Sequence, residues 1–254
     1  MDLKTEILLK IDEEIFYGRY ENAVKISKKA FKEFNDNCFL NKILQINLKK
    51  GDFKSAVSIL KKMIKTEPND LYLTEQTAYC FFRLNNYKKA LKYYKMLLDL
   101  SPCSSKYNFN VASMYDFLED YPKALKYYKY AVDADSRNIS ARNNYAVICC
   151  KLNRYDTAIK IFNDIIRTAP DHSEAYHHMG VIYRDYLKDT EMALLYLKKA
   201  YRLDKTTVLN PYQIALTYME LNDIPKVKEY AQKAAEINPC YKPAADLMKE
   251  SEEI

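Results

Sequence analysis

Apolar residues recur along this chain three and four positions apart, in runs of a few turns separated by short polar breaks, which is the pattern of amphipathic helices. The runs repeat. Residues 90–95 read ALKYYK, and the same six letters return at 124–129, 34 residues on. Pro68 and Pro102 keep that interval, as do Pro102 and Ser136, then Ser136 and Pro170. A fixed period of this size marks a repeat architecture in which each unit buries its apolar face only against its neighbours. Counted from 31 residues before the closing proline, positions 7 and 8 read Ile43-Leu44, Thr77-Ala78, Val111-Ala112, Tyr145-Ala146, Met179-Gly180 and Ile214-Ala215. Position 11 reads Phe81, Tyr115, Cys149, Tyr183 and Tyr218, and position 20 reads Ala56, Ala90, Ala124 and Ala158. Position 24 reads Leu60, Tyr94, Tyr128 and Phe162, and position 27 reads Met63, Leu97, Ala131 and Ile165. Large residues thus alternate with small ones at helical spacing, which allows two helices to cross closely and interlock.

These residues resemble the tetratricopeptide repeat, a 34-residue helix–turn–helix unit. The resemblance implies an all-α fold, a right-handed α-solenoid of about seven antiparallel units plus a C-terminal capping helix. One domain over 1–254 is expected, with units at 4–36, 37–70, 71–104, 105–138, 139–172, 173–207 and 208–241, and the cap at 242–254. Tryptophan is absent, so other bulky groups are expected at position 4. The first unit is degenerate: Ile7, Ile11 and Ile15 share a face, Gly18 makes the turn, and Ala23 and Ala30 fall near the small positions. Terminal repeats are commonly atypical because one side meets water. The sixth unit carries one extra residue before Ala193, placed in the turn LKDTE. In the cap, Leu247 and Met248 are expected to face inward.

Turn chemistry supports the same division. Positions 15 and 16 read Gly51-Asp52, Asn85-Asn86, Asn153-Arg154 and Asn222-Asp223. Gly and Asn tolerate the left-handed conformation that commonly ends a helix. Position 17 is usually aromatic (Phe53, Tyr87, Tyr121, Tyr155) and is expected to plug the base of each hairpin.

Composition removes several function classes. The three glycines stand far apart, so no phosphate-binding glycine loop can be assembled. No apolar run reaches the length of a membrane span. The opening MDLKTEILLKIDEE lacks the basic and uninterrupted apolar regions of a signal peptide, so a cytoplasmic location is expected. The six cysteines form no CxxC pair, which argues against a disulfide framework or a zinc site and for a reducing compartment. His172, His177 and His178 gather near Asp171 and Glu174. Adjacent histidines diverge by about 100° on a helix and no HExxH arrangement is present, so a polar groove contact is the reading and no metal or cofactor is expected. No nucleophile–base set can be justified from spacing, and packing, turns or solvation account for each unit's residues, so no enzyme is expected.

The candidate site follows from the resemblance, which puts the first helix of each pair on a concave wall with positions 2, 5, 6, 9, 12 and 13 directed into the groove. Position 6 reads Lys42, Gln76, Asn110, Asn144, His178 and Gln213, largely a row of amides that both donate and accept, as an extended peptide backbone requires. Position 9 reads Gln45, Tyr79, Ser113, Val147, Val181 and Leu216 and turns apolar towards the C-terminal half, with Cys150, Tyr212 and Met219 beside it. Such a strip usually marks an interaction surface. The candidate peptide-binding residues are therefore Gln76, Tyr79, Asn110, Asn144, Val147, His178, Val181, Tyr212, Gln213 and Leu216. Val147, Val181 and Leu216 would meet an apolar side of the peptide while Asn110, Asn144 and His178 hold its backbone. The carboxylate clamp of chaperone-binding relatives needs Lys and Asn at set positions of three consecutive units, and no three units here match it.

The formal net charge is +6. The basic excess lies mostly on second helices, at Lys88, Lys89, Lys92, Lys95, Lys123, Lys126 and Lys129. Lysine far outnumbers arginine and no aromatic stacking platform accompanies it, which favours solvated outer helices over nucleic-acid binding. The expected function is a non-catalytic scaffold that binds a protein or extended peptide. The alternatives are a nucleic-acid-associated regulator using the basic convex face, or an accessory subunit of an enzyme complex. Self-association is left open.

Overall fold

A computed structural model describes residues 2–251, which form fifteen α-helices and, among the described residues, no strand. They fall into two compact units, one ending at Asp120 and one beginning at Tyr121. The first contains α1 (Leu3–Phe16), α2 (Tyr20–Phe34), α3 (Asn37–Lys50), α4 (Phe53–Thr66), α5 (Leu71–Arg83), α6 (Tyr87–Leu100) and α7 (Ser105–Phe117). The second contains α8 (Tyr121–Ala134), α9 (Ile139–Lys151), α10 (Tyr155–Thr168), α11 (Ser173–Asp185), α12 (Thr190–Leu203), α13 (Leu209–Glu220), α14 (Ile224–Ile237) and α15 (Lys242–Glu250). Within each unit every helix packs on its sequence neighbours. No described helix is long and apolar enough to cross a membrane.

The helix ends follow from one residue at each junction. Asp36, Asp70, Ser104 and Asn138 precede first helices, and each side chain accepts a backbone N–H of the first turn. His172 does the same through Nδ1, which accepts from the Ala175 N–H at 3.2 Å. These caps satisfy amides that the helix itself cannot. Between the helices of a pair, Gly51, Asn85, Asn153 and Asn222 adopt positive φ, as expected of their types. The following residue then caps the second helix: Asp52, Asn86 and Asp223 accept from the third residue on at 3.1–3.2 Å. In the sixth repeat the extra residue falls at 186–189, where Lys188 takes the positive φ.

Each interior is layered by the alternation seen in the sequence. Ala56 and Ala90 in the first compact unit are completely buried, and so are Ala124, Ala158 and Ala193 in the second. Leu60, Leu97, Phe162, Ile165 and Leu197 fill the spaces these small residues leave. Apolar burial at this density is the main stabilising contribution. The degenerate first repeat has Ser27 where the second to sixth have a large apolar group, and its hydroxyl donates to the Ala23 carbonyl at 2.8 Å. At the other end α15 closes the last interior, with Leu247 buried and Met248 partly buried. Residues 252–254 of the expected cap lie outside the described residues.

Two expectations change in detail. Position 4 carries Thr74, Asn108 and Arg142 rather than uniformly bulky groups, and all three are buried with partners. The Thr74 hydroxyl donates to the Asp70 carbonyl, the Asn108 amide to the Pro102 and Ser104 carbonyls, and the Arg142 guanidinium to Asp164 and Thr168. These bonds tie the start of a first helix to the loop before it, or to the neighbouring second helix, without an indole. The aromatic at position 17 reaches beyond its own hairpin. Tyr87 donates its hydroxyl to Asn85 in its own turn (3.1 Å) but stacks its ring on Phe117 of the next repeat, centroids 4.7 Å apart. Tyr155 repeats the pattern, bonding Asn153 at 3.0 Å and stacking on Tyr186 at 4.3 Å.

Candidate functional site

In the second compact unit the first helices α9, α11 and α13 lie side by side, α9 touching α11 and α11 touching α13. Near their N-terminal ends they enclose, with the α12–α13 loop, a cavity of about 350 Å³. Asn143, Asn144 and Val147 of α9 line it, together with Ser173, Glu174, His177 and His178 of α11, Leu209 and Asn210 of α13, and Asp204 and Thr207 of the loop. Because the repeats keep a 34-residue register, Asn143 and His177 are equivalent, as are Asn144 and His178. Successive units therefore deliver chemically related pairs to one wall.

Bonds hold these side chains in place. The Asn143 amide donates to Glu174 Oε2 at 3.0 Å, and Asn144 makes a longer contact of 3.4 Å to the Tyr128 hydroxyl on α8. His177 Nδ1 lies 2.8 Å from Asn210 Oδ1, while the Asn210 amide donates to the Asp204 carbonyl at 3.3 Å. Asp204 folds back on its own loop: Oδ1 accepts from the Thr206 backbone and hydroxyl at 2.8 and 2.7 Å, and Oδ2 from the Thr207 hydroxyl at 2.5 Å. Those hydroxyls, Thr207 foremost, hold its carboxyl down at about 2. The His178 ring stacks on Phe162, centroids 5.3 Å apart. Burial, reinforced by its histidine neighbours, lowers the His178 pKa to about 3, and burial lowers that of His177 as well. Both rings are neutral near pH 7.

Three of the ten residues singled out from the sequence, Asn144, Val147 and His178, line this cavity. Val181, Tyr212 and Leu216 sit partly buried against the cluster of Leu197, Ile214, Ala215 and Leu247, so much of their apolar surface is already engaged. The Tyr212 ring meets Tyr241 edge-on at 5.4 Å. Gln213 is held internally: its side-chain and backbone oxygens accept from Arg184 Nη1 at 2.6 and 3.3 Å. The remaining three belong to the first compact unit. Gln76 lies partly buried on α5, Asn110 partly buried on α7, and Tyr79 is exposed, accepting from Arg83 Nη1 at 2.7 Å and meeting Phe53 edge-on. Asn143, Asn210 and Asp204 were not singled out. Reading position 5 beside position 6 would have found Asn143, but nothing local marks the 204–207 loop.

Three tetratricopeptide-repeat family models match the chain, at residues 45–104, at 118–179, and at 173–207 with 212–239. No curated protein sequence matches it. Among solved structures, a tetratricopeptide repeat protein from Parabacteroides merdae is similar over 98% of both chains, with a TM-score of 0.75 at 17% identity. PilW, a type IV pilus biogenesis factor, is similar over 84% of this chain and 98% of its own, with a TM-score of 0.70 at 15% identity. YrrB, described as having an unusual peptide-binding site, is similar over 75% of this chain and 97% of its own, with a TM-score of 0.54 at 19% identity. At these identities the likeness shows the fold alone, an α-solenoid. From the register of its units, its helix pairs and these matches, the chain belongs to the tetratricopeptide-repeat family.

Proposed function

We propose that the chain is a non-catalytic scaffold of the cytoplasm that holds an extended peptide segment of a partner protein along the α9–α11–α13 wall. The observation that carries this reading is the cavity of about 350 Å³ on that wall, lined by Asn144, Val147 and His178. Its volume is at the small end of the roughly 300–1,000 Å³ typical of ligand sites, which suits an anchoring side chain rather than a whole cofactor. Asn144 can donate to and accept from a peptide backbone, and Val147 offers an apolar contact. A pre-formed wall lowers the ordering cost of binding, most of which then falls on the peptide. The peptide-binding site described for YrrB, a structural relative, favours the same use.

The test is selection of peptides from a random display library on the full chain, followed by calorimetric titration of a selected sequence. Replacing Asn144 and Val147 together with Ala should weaken binding roughly tenfold, equivalent to about 1.4 kcal/mol, with helicity unchanged. Unchanged affinity would remove this wall as the site.

A further inference from the structure

Resting on that reading, we infer that the cavity receives a basic side chain, arginine or lysine, of the bound peptide. The first ground is charge. Of the lining residues only Glu174 and Asp204 carry formal charge, and both are carboxylates; no lysine or arginine lines the cavity. The chain as a whole carries net +6, so an acidic recess runs against its general balance.

The second ground is the account of donors and acceptors. Asn143 spends one of its two amide N–H donors on Glu174, Asn210 one on the Asp204 carbonyl, Thr207 its hydroxyl on Asp204, and Ser173 its hydroxyl, at 3.4 Å, on the Ala200 carbonyl. Since Asn210 uses its nitrogen elsewhere, its oxygen faces His177, whose Nδ1 therefore carries the proton and whose Nε2 remains an acceptor. Asn143 is only 3% exposed, and its Oδ1 has no partner among the described residues. Apart from Asn144, whose amide makes only the 3.4 Å contact to Tyr128, these lining groups each spend a donor within the protein, whereas Glu174, Asn143 Oδ1 and His177 Nε2 keep capacity to accept. A carboxylate or phosphate would meet two like-charged carboxylates and no cation in the lining, whereas an ammonium or guanidinium supplies only donors.

The third ground is shape. Val147, the half-exposed Leu209 and the face of His178, backed by Phe162, offer apolar surface for the methylene stem of a long basic side chain. Glu174, at the exposed rim, would meet the charged head.

The experiment uses a fluorescent peptide selected by display on the full chain, with anisotropy as the readout. A basic residue should recur at one fixed position. Replacing it by the neutral isostere, citrulline for arginine or norleucine for lysine, should weaken binding about tenfold, as expected for loss of a charge-assisted hydrogen bond. On the Glu174→Gln protein that loss should shrink to under twofold. Leu209→Lys, which places a competing cation at the cavity without replacing either carboxylate, should weaken the basic peptide several-fold more than its neutral isostere, which loses only the apolar contact with Leu209. Selected peptides with no basic residue at a fixed position, or a neutral isostere that binds equally well, would overturn the inference and leave peptide binding standing. So would an isostere penalty that persists undiminished on Glu174→Gln. If no peptide can be selected at all, the peptide-binding reading falls as well.

Discussion

His177 and Asn210, 33 residues apart, are joined by a 2.8 Å contact that fixes the imidazole in its Nδ1-protonated tautomer and links α11 to α13. With His178 stacked on Phe162 beside it, two neutral imidazoles sit in one recess. The unfolded chain protonates histidine near 6.5, whereas in the folded chain burial lowers both rings, His178 to about 3. As pH falls below about 6.5 the unfolded state binds protons first. The stability these rings contribute is therefore present above that pH and is lost progressively towards about 3. Below about 4 the carboxylates held at about 2, Asp36, Asp204 and Glu229, add their own loss. Thermal melts between pH 7.5 and 4.5 should show the midpoint falling with acid. His178→Asn should flatten that fall, and parallel curves would contradict the assignment.

Gly180 occupies the position filled by Ala78, Ala112, Ala146 and Ala215 in other repeats. A Cβ added there would lie 2.5 Å from Leu197 Cγ and 3.1 Å from the Ala193 carbonyl oxygen, so α11 and α12 approach more closely than an alanine permits. Gly180→Ala should cost about 1–3 kcal/mol through overpacking, against the usual gain in helix propensity. Leu197→Ala should cost less on the Gly180→Ala background than on the native chain, because the added Cβ then escapes the clash with Leu197 and fills part of the space left. Chemical denaturation measures both, and a neutral or stabilising Gly180→Ala would show that the clash relaxes freely.

Arg154 precedes α10 with φ −93° and ψ 56° but makes no side-chain cap. Asn86 stands in nearly the same backbone conformation before α6, and Asp223 before α14, and both cap. Arg154→Asp should therefore stabilise the chain by about 0.5–2 kcal/mol. Loss of stability on that change would mean that Arg154 has a contact worth more than a cap.

Thiol reactivity should divide by burial. Desolvation raises Cys80 and Cys150 to about 11 and raises Cys149, whereas Cys103 and Cys240 are exposed. At pH 8 an aromatic disulfide reagent should label Cys103 and Cys240 rapidly, the partly buried Cys38 and Cys150 more slowly, and the buried Cys80 and Cys149 only at the rate of local opening. Mutating the two exposed cysteines to serine should abolish the fast phase.

Much of the fold was legible because each repeat restates one packing rule. Ala90, Ala124 and Ala158 announce their burial by recurring at one interval, and Asn85, Asn153 and Asn222 announce the turns by their tolerance of positive φ. The site was only partly legible. Asn144, Val147 and His178 could be placed from the register, but the register does not say which groups their neighbours consume. Gln213 reads as a groove amide until Arg184, buried at 6% exposure, proves to hold it. Asp204 reads as an ordinary end-of-helix carboxylate because its bonds to Thr206 and Thr207 depend on a loop that has lost the closing proline. Periodicity specifies what repeats, and the irregular junction carries the local chemistry.

The central claim is most directly tested by titrating a display-selected peptide into isotopically labelled chain and following backbone amide shifts. The account predicts perturbations centred on residues 143–147, 174–178 and 207–210. Shifts confined to the lysine-bearing second helices, with those three segments unmoved at saturation, would contradict it.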